Sequence, residues 1–190
     1  MKTGRLEAGC FIGVVGPSGA GKDSLIDAAR RHFGQDGPIR FVTRSITRPH
    51  DAGGEAHEAL SDAAFQTRAA AGGFALHWQA HGLSYGIPKD IDGTLAQGRA
   101  VLVNLSRSVI DDIRTRFANR LILVVTASPD ILAQRLSARG RESATDIEAR
   151  LRRSPPEFPH GPDVLTLRND GALADAEAAF IRALDQQVLS

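Results

Sequence analysis

Cysteine is nearly missing from this 190-residue chain: Cys10 stands alone, so no intramolecular disulfide can form. That suits a reducing compartment. Its place at the head of an apolar run marks Cys10 as a buried strand thiol rather than a nucleophile or metal ligand. Long hydrophobic runs are missing too. No stretch reaches the roughly 18 apolar residues of a membrane span, and the short run at 10–15 leads into a glycine loop rather than forming a signal-peptide core. An excess of one charge is also lacking: 23 basic and 22 acidic residues leave a net +1. Neither a nucleic-acid arm nor a membrane-binding tail is therefore expected. Apolar residues at 42% and charged residues at 24% are an ordinary globular balance, which excludes disorder, collagen-like repeats and coiled coil. The expectation is one soluble, cytoplasmic domain; nothing in the sequence specifies an oligomeric state. Lysine is scarce as well, since the 23 basic residues divide into 20 Arg and 3 Lys. Codon bias in an Ala-rich chain accounts for the composition. The functional alternative is a phosphate site, because the guanidinium fork binds phosphate in bidentate fashion.

What is present is an alternation of short apolar runs with segments of helical period. Strands are expected at 10–15, 39–42, 100–103, 121–125 and 164–167. Helices are expected at 22–33, from Ser128-Pro129 to near Gly140, and at 172–188. A capping box at Thr145-Asp-Ile-Glu148 opens another to about residue 153. Between residues 44 and 86 the βα rhythm is lost. There Ser61 caps a short helix closed by Gly72-Gly73, and two strands, 74–78 and 83–85, flank a turn at His81-Gly82. A further helix is expected over 88–97. Residues 155–162 hold four prolines and read as a loop. The pattern predicts an α/β fold with a mostly parallel sheet, its ligands at the carboxyl ends of the strands, and a small lobe inserted at about 44–86.

Gly16, Pro17, Ser18, Gly19, Ala20, Gly21 and Lys22 match the phosphate-binding pattern G-x-x-x-x-G-K, with a strand before and a helix after. Its glycines let backbone N–H groups converge on phosphate oxygens, the helix N-terminus adds its dipole, and Lys22 supplies a charge for the β- and γ-phosphates. Most such loops continue with Ser or Thr, whose hydroxyl binds Mg²⁺. Here Asp23 follows, then Ser24. A bare carboxylate beside a triphosphate needs a cation between them, so Asp23 holds Mg²⁺ directly or through water; otherwise it caps or faces solvent and Ser24 takes the metal role.

Arg135, Arg139, Arg141, Arg150, Arg152 and Arg153 form the densest basic stretch. Arg135 and Arg139 share a helix face, and Gly140 breaks the helix into a loop carrying Arg141. An arginine loop that closes over a triphosphate excludes water and neutralises charge; Arg139, Arg141 and Arg150 are the candidates, with Arg152 and Arg153 on a solvated face. Arg44 and Arg48, at the start of the inserted lobe, could grip a second phosphate. Glu55, His57 and Tyr85 lie further along it. Four of the six histidines fall in this lobe, without zinc-ligand spacing or cysteines beside them. Trp78 is expected in the core.

With G-P-S-G-A-G-K at 16–22, T-R at 47–48, G-E at 54–55, Y-G at 85–86, R-L-S-A-R-G-R-E at 135–142 and N-D at 169–170, the chain resembles the guanylate-kinase-like P-loop kinases over nearly its whole length. The resemblance implies a P-loop NTPase fold with a core at about 8–43 and 87–190, an acceptor-binding lobe at about 44–86 and an arginine lid at about 139–153. It implies ATP as co-substrate, Mg²⁺, an acceptor phosphate held by Arg48 and Tyr85, and Asn169 beside the adenine. Where guanylate kinases carry acidic residues that read guanine, this chain has Leu76 and Asn104. The set G-K-D-S at 21–24, I-T-R at 46–48, E-x-H at 55–57, Y-G at 85–86, V-L-V-N at 101–104 and R-G-R-E at 139–142 is similar to one branch, the ribose 1,5-bisphosphate phosphokinases of phosphonate catabolism. That resemblance implies ribose 1,5-bisphosphate as acceptor and 5-phosphoribosyl 1-diphosphate and ADP as products.

Overall fold

The chain is described from a computed structural model, which places residues 9–49, 56–138 and 158–188. Five short apolar runs pair into one parallel sheet: β1 (Phe11–Val15), β2 (Ile39–Phe41), β7 (Ala100–Asn104), β8 (Arg120–Thr126) and β9 (Val164–Arg168), in the order β2-β7-β1-β8-β9. Every residue of β1 is buried, because parallel strands are covered on both faces. Alternation along β1 then splits the core. Ile12 and Val14 face α1 (Lys22–Phe33) and the closing helix α6 (Leu173–Val188), against Leu25, Ala29, Phe180 and Leu184. Phe11 and Val15 face the other way, against Ile91 of α3 (Ile91–Ala96) and Ile110 and Ile113 of α4 (Ile110–Arg116).

The second sheet is small, in the order β4-β3-β6-β5. It comprises β3 (Ser45–Ile46), β4 (Glu58–Ala59), β5 (Phe74–Ala80) and β6 (Leu83–Pro88). The β5–β6 hairpin turns on two residues, His81 with φ 52° and Gly82 with φ 74°. Two positive φ angles are what a tight I′ hairpin turn needs. Helix α2 (Asp62–Ala70) is capped by Ser61, whose hydroxyl accepts from the Ala64 N–H at 3.2 Å, as the sequence predicts. Phe65 of α2 stacks on Phe74 of β5, with ring centroids 4.6 Å apart, and seats the helix on the sheet. A carboxylate braces the same corner. Glu58 accepts from Ser45 Oγ at 2.6 Å and from Arg68 at 2.8 Å, and these bonds hold its carboxyl below the usual range.

One expectation changes, and one helical segment is added. The helix predicted over 88–97 starts later, at Ile91, because residues 83–88 continue the hairpin strand and Pro88 is paired with Phe74. Residues 107–116 form a 3-10 turn and α4, for which the sequence reading made no assignment. The expected helix at 145–153 lies outside the described residues. Helix α5 (Pro129–Ala138) begins at the predicted Ser128-Pro129 step. Among the described residues no helix is long and apolar enough to cross a membrane.

Parallel pairing aligns the carboxyl ends of all five strands on one edge. That edge carries Gly16 and Lys22 after β1, Thr43 and Arg44 after β2, Asn104 at the end of β7, Ser128 after β8 and Asn169 after β9. The opposite edge is locked by Asp163, which accepts from Arg114 Nε at 3.0 Å and Arg120 Nε at 2.8 Å. The two guanidinium groups draw its carboxyl pKa down to about 2.

Candidate functional site

The loop after β1 has the backbone that anion binding requires. Gly21 is the residue before α1 and sits in the left-handed region with φ 91°; no side chain caps the helix. The first N–H groups of α1 are thus left for a ligand. Gly16 has φ 150°, and a Cβ there would lie 2.0 Å from the Val125 carbonyl oxygen. Only glycine fits at either position. Lys22 Nζ donates to the carbonyls of Gly16 at 2.9 Å and Pro17 at 3.0 Å, so the ammonium spans the concave side of the loop.

Asn169 supports this loop from the far strand. Its Nδ2 donates to the Ala20 carbonyl at 2.9 Å, and the side chain is 2% exposed. Oδ1 is buried and has no hydrogen-bond partner among the described residues. Asn169, expected beside the adenine, is packed under the phosphate loop, against Gly21. Its neighbour Asp170 accepts from the Ser128 N–H at 2.6 Å and from Arg168 at 3.0 Å, which fixes the start of α5; those bonds lower its pKa. Arg135 on α5 approaches the same loop. Its Nη1 is 4.0 Å from where a Gly21 Cβ would stand and is buried without a partner among the described residues. From the sequence, Arg135 is a helix-face neighbour of Arg139 and the first residue of the R-L-S-A-R-G-R-E motif at 135–142.

A cleft of about 220 Å³ lies beside this loop, lined in part by Asp23, Asp27, Arg30, Thr43, Arg44 and Asn104. Asp23 and Ser24 are both exposed in the first turn of α1. Asn104 Nδ2 donates to Asp23 Oδ1 at 3.2 Å, orienting the carboxylate. This contact joins residues 81 apart, and no sequence signal announces it. Asp23 and Ser24 fit a magnesium ion that keeps most of its waters, because both offer hard oxygen donors beside a phosphate site.

The inserted lobe brings Arg44, Trp78 and Tyr85 together. Trp78 and Tyr85 stack with ring centroids 5.3 Å apart and planes 8° from parallel. The Arg44 guanidinium stands 5.7 Å from the Trp78 ring and 5.2 Å from the Tyr85 ring. Trp78 is buried as expected, but it also carries a cation that faces the cleft. Leu76 packs on the core cluster under the sheet.

Arg48 and His57 form a pair. His57 Nδ1 is 3.2 Å from Arg48 Nη2, and Nε2 is 3.1 Å from the Arg48 carbonyl oxygen. His57 is 6% exposed. His57, expected among the acceptor-binding residues, has both ring nitrogens against Arg48 and a buried ring. Of the other expected residues, Glu55, Arg139, Arg141 and Arg150 lie outside the described residues. Cys10 is buried as expected, and burial pushes its thiol up to about 12.

The family model for guanylate kinase matches residues 11–181. Among curated proteins, a ribose 1,5-bisphosphate phosphokinase PhnN from Brucella melitensis is 47% identical over 178 residues, covering 94% of this chain and 93% of that protein. The protein of the same name from Pseudomonas fluorescens is 47% identical over 184 residues, covering 94% and 96%. A bifunctional ribose 1,5-bisphosphokinase-thymidine phosphorylase from Azorhizobium caulinodans is 44% identical over 95% of this chain, which spans 26% of that longer protein. Among solved structures, guanylate kinase from Anaplasma phagocytophilum superposes with a TM-score of 0.62 at 14% identity, over 97% of this chain and 88% of that one. That last likeness is one of fold.

Proposed function

We propose, for a chain that belongs to the guanylate kinase family and to its ribose 1,5-bisphosphate phosphokinase branch, the ATP-dependent conversion of ribose 1,5-bisphosphate to 5-phospho-α-D-ribose 1-diphosphate and ADP. The observation that carries this reading is the chemistry of the cleft. Of the two positions where guanylate kinases carry the acidic residues that read guanine, one holds Leu76, packed on the core, and the other holds Asn104, engaged with Asp23. Arg44 instead faces the space beside the phosphate loop. Those two positions carry no carboxylate, and the cleft offers the Arg44 cation, which suits a phosphorylated sugar.

The reaction needs little acid–base help. The attacking oxygen belongs to the sugar's 1-phosphate, whose second ionisation lies near pH 6. It bonds to the γ-phosphorus as the bond to the β-bridging oxygen breaks, leaving ADP; no proton need move. Catalysis is then positioning and charge neutralisation. Lys22 and the N–H groups of α1 take the ATP phosphates, with the loop shape kept by Asn169. Arg48 and Tyr85 take one acceptor phosphate and Arg44 the other. Arg139, Arg141 and Arg150 complete the neutralisation from the lid. Asp23, set by Asn104, would hold Mg²⁺ with Ser24, and the ion would supply positive charge to the ATP phosphates. ATP consumption and a single buried thiol suit the cytoplasm, and membership of the ribose 1,5-bisphosphate phosphokinase branch supports formation of the ribosyl diphosphate during phosphonate breakdown.

The test is a coupled ADP-release assay with ribose 1,5-bisphosphate and GMP as alternative acceptors, the product being identified as a diphosphate. Turnover of the sugar with little on GMP is expected. Efficient GMP turnover and none on the sugar overturns the reading in favour of a guanylate kinase.

A further inference from the structure

The geometry points to His57 as a positioning residue that holds Arg48 in a fixed anion-gripping shape. The inference rests on the reading of Arg48 as an acceptor-phosphate residue, and it assigns to a buried histidine a task distinct from substrate contact.

The backbone leading to Arg48 is already fixed. Thr47 follows β3, and its N–H donates to the Ser84 carbonyl at 3.0 Å while its Oγ1 accepts from the Ser84 N–H at 2.9 Å. One residue on, the imidazole bridges the two ends of Arg48, side chain and main chain. A guanidinium can only donate and a carbonyl oxygen can only accept. Nδ1 is therefore the acceptor and Nε2 carries the hydrogen. The neutral Nε2–H tautomer satisfies both contacts, and no other form does. The ring thus closes a loop through Arg48, fixing a long side chain that would otherwise sample many rotamers.

His57 can do this because the pairing of β4 with β3 brings the residue before β4 close to the segment that follows β3, where Arg48 lies. His57 precedes β4, which pairs in parallel with β3, Ser45 opposite Glu58 and Ile46 opposite Ala59. Pinning Arg48 before the acceptor arrives removes ordering cost from binding. One more observation points to an anion. Arg48 Nε is buried and has no hydrogen-bond partner among the described residues. A buried N–H of this kind is satisfied by an incoming oxygen, and a phosphate offers several.

The test compares His57→Leu, His57→Asn, His57→Gln and Arg48→Ala in the full-length protein. KM for ribose 1,5-bisphosphate and for ATP are measured separately, and thermal midpoints confirm folding. Asn places its amide oxygen near the Nδ1 position and can accept from Arg48. Gln places its amide nearer the Nε2 position and restores the carbonyl contact instead. His57→Leu and His57→Gln are expected to raise the acceptor KM about tenfold, the scale of one lost hydrogen bond to a charged group, with ATP KM unchanged. His57→Asn should stay within about threefold of the parent. Should the Leu variant not fold, the Asn–Gln contrast decides alone. Equal behaviour of Asn and Gln, or an unchanged acceptor KM in the Leu and Gln variants while Arg48→Ala raises it, overturns the positioning role and leaves the proposed function standing. An unchanged acceptor KM in Arg48→Ala overturns the reading of Arg48 itself.

Discussion

Asn169→Asp changes one group, NH2 to O, at the point where the far strand supports the phosphate loop. The parent contact is an N–H···O bond of 2.9 Å to the Ala20 carbonyl, in a side chain 2% exposed. The substitution puts a carboxylate oxygen against that carbonyl oxygen, and the residue has almost no water to turn to. Losing the bond costs about 1 kcal/mol, and burying an oxygen anion without a donor adds more, so a loss of about 2–4 kcal/mol is expected at pH 8. A protonated carboxyl can donate to Ala20 again. Folding therefore raises the pKa of the introduced acid above its unfolded value of about 4. The folded state binds the extra proton, so the penalty is small below about pH 4 and grows as the pH rises through the folded pKa. Urea denaturation of the parent and variant at a series of pH values from 5 to 8 reads this as a widening gap in midpoint at constant slope. ATP affinity should weaken over the same range, because the loop carbonyl that Asn169 holds lies beside Gly21 and Lys22. Equal midpoints at pH 8 would show that Asn169 does not brace the loop.

Other expectations follow from the same contacts. The Asp163 carboxyl has a folded pKa of about 2 against 3.8, so its contribution is present above the unfolded value and lost as pH falls from about 4 through about 2. Allowing for solvent screening, Asp163→Asn should cost about 1–2 kcal/mol at pH 7 and nothing near pH 2, with kcat unchanged because Asp163 sits at the amino edge of the sheet. Since the single Trp stacks on Tyr85 beneath Arg44, acceptor binding should alter Trp78 emission, while ATP alone should leave it nearly unaltered. Removing that platform in Trp78→Leu should raise the acceptor KM about two- to tenfold, the scale of a cation–π contact. In Asp23→Ala the Mg²⁺ concentration required for half-maximal rate should rise, whereas an unchanged Mg²⁺ dependence would move the metal role to Ser24.

Much of the fold is local in origin and so is legible along the chain. The helix expected over 22–33 has those bounds in the structure, because apolar Leu25, Ile26 and Ala29 recur at helical spacing behind a glycine that turns the chain. The five core strands also lie where their apolar runs predict, each within one or two residues. Residues 88–97 were harder to read. Strand pairing in the hairpin reaches Pro88, and tertiary pairing overrode a local pattern that suited a helix. Beta strands 3 and 4, two residues each, have no sequence signature; they exist because Ser45–Ile46 pairs with both β6 and β4.

The sequence by itself determined the phosphate loop, its lysine, the five core strands and the helices that begin at Lys22 and Pro129. These depend on backbone freedom at Gly16 and Gly21 and on hydrophobic period, both properties of neighbouring residues. Only the tertiary structure decided what His57, Asn104, Asn169 and Trp78 do. Each touches a partner brought near by the fold: His57 meets Arg48 nine residues away, Asn104 meets Asp23 81 away, Asn169 meets Ala20 149 away, and Trp78 meets Tyr85 across the hairpin. A hydrogen bond or a stacked ring depends on a few tenths of an ångström across the sheet, and that distance is set by packing.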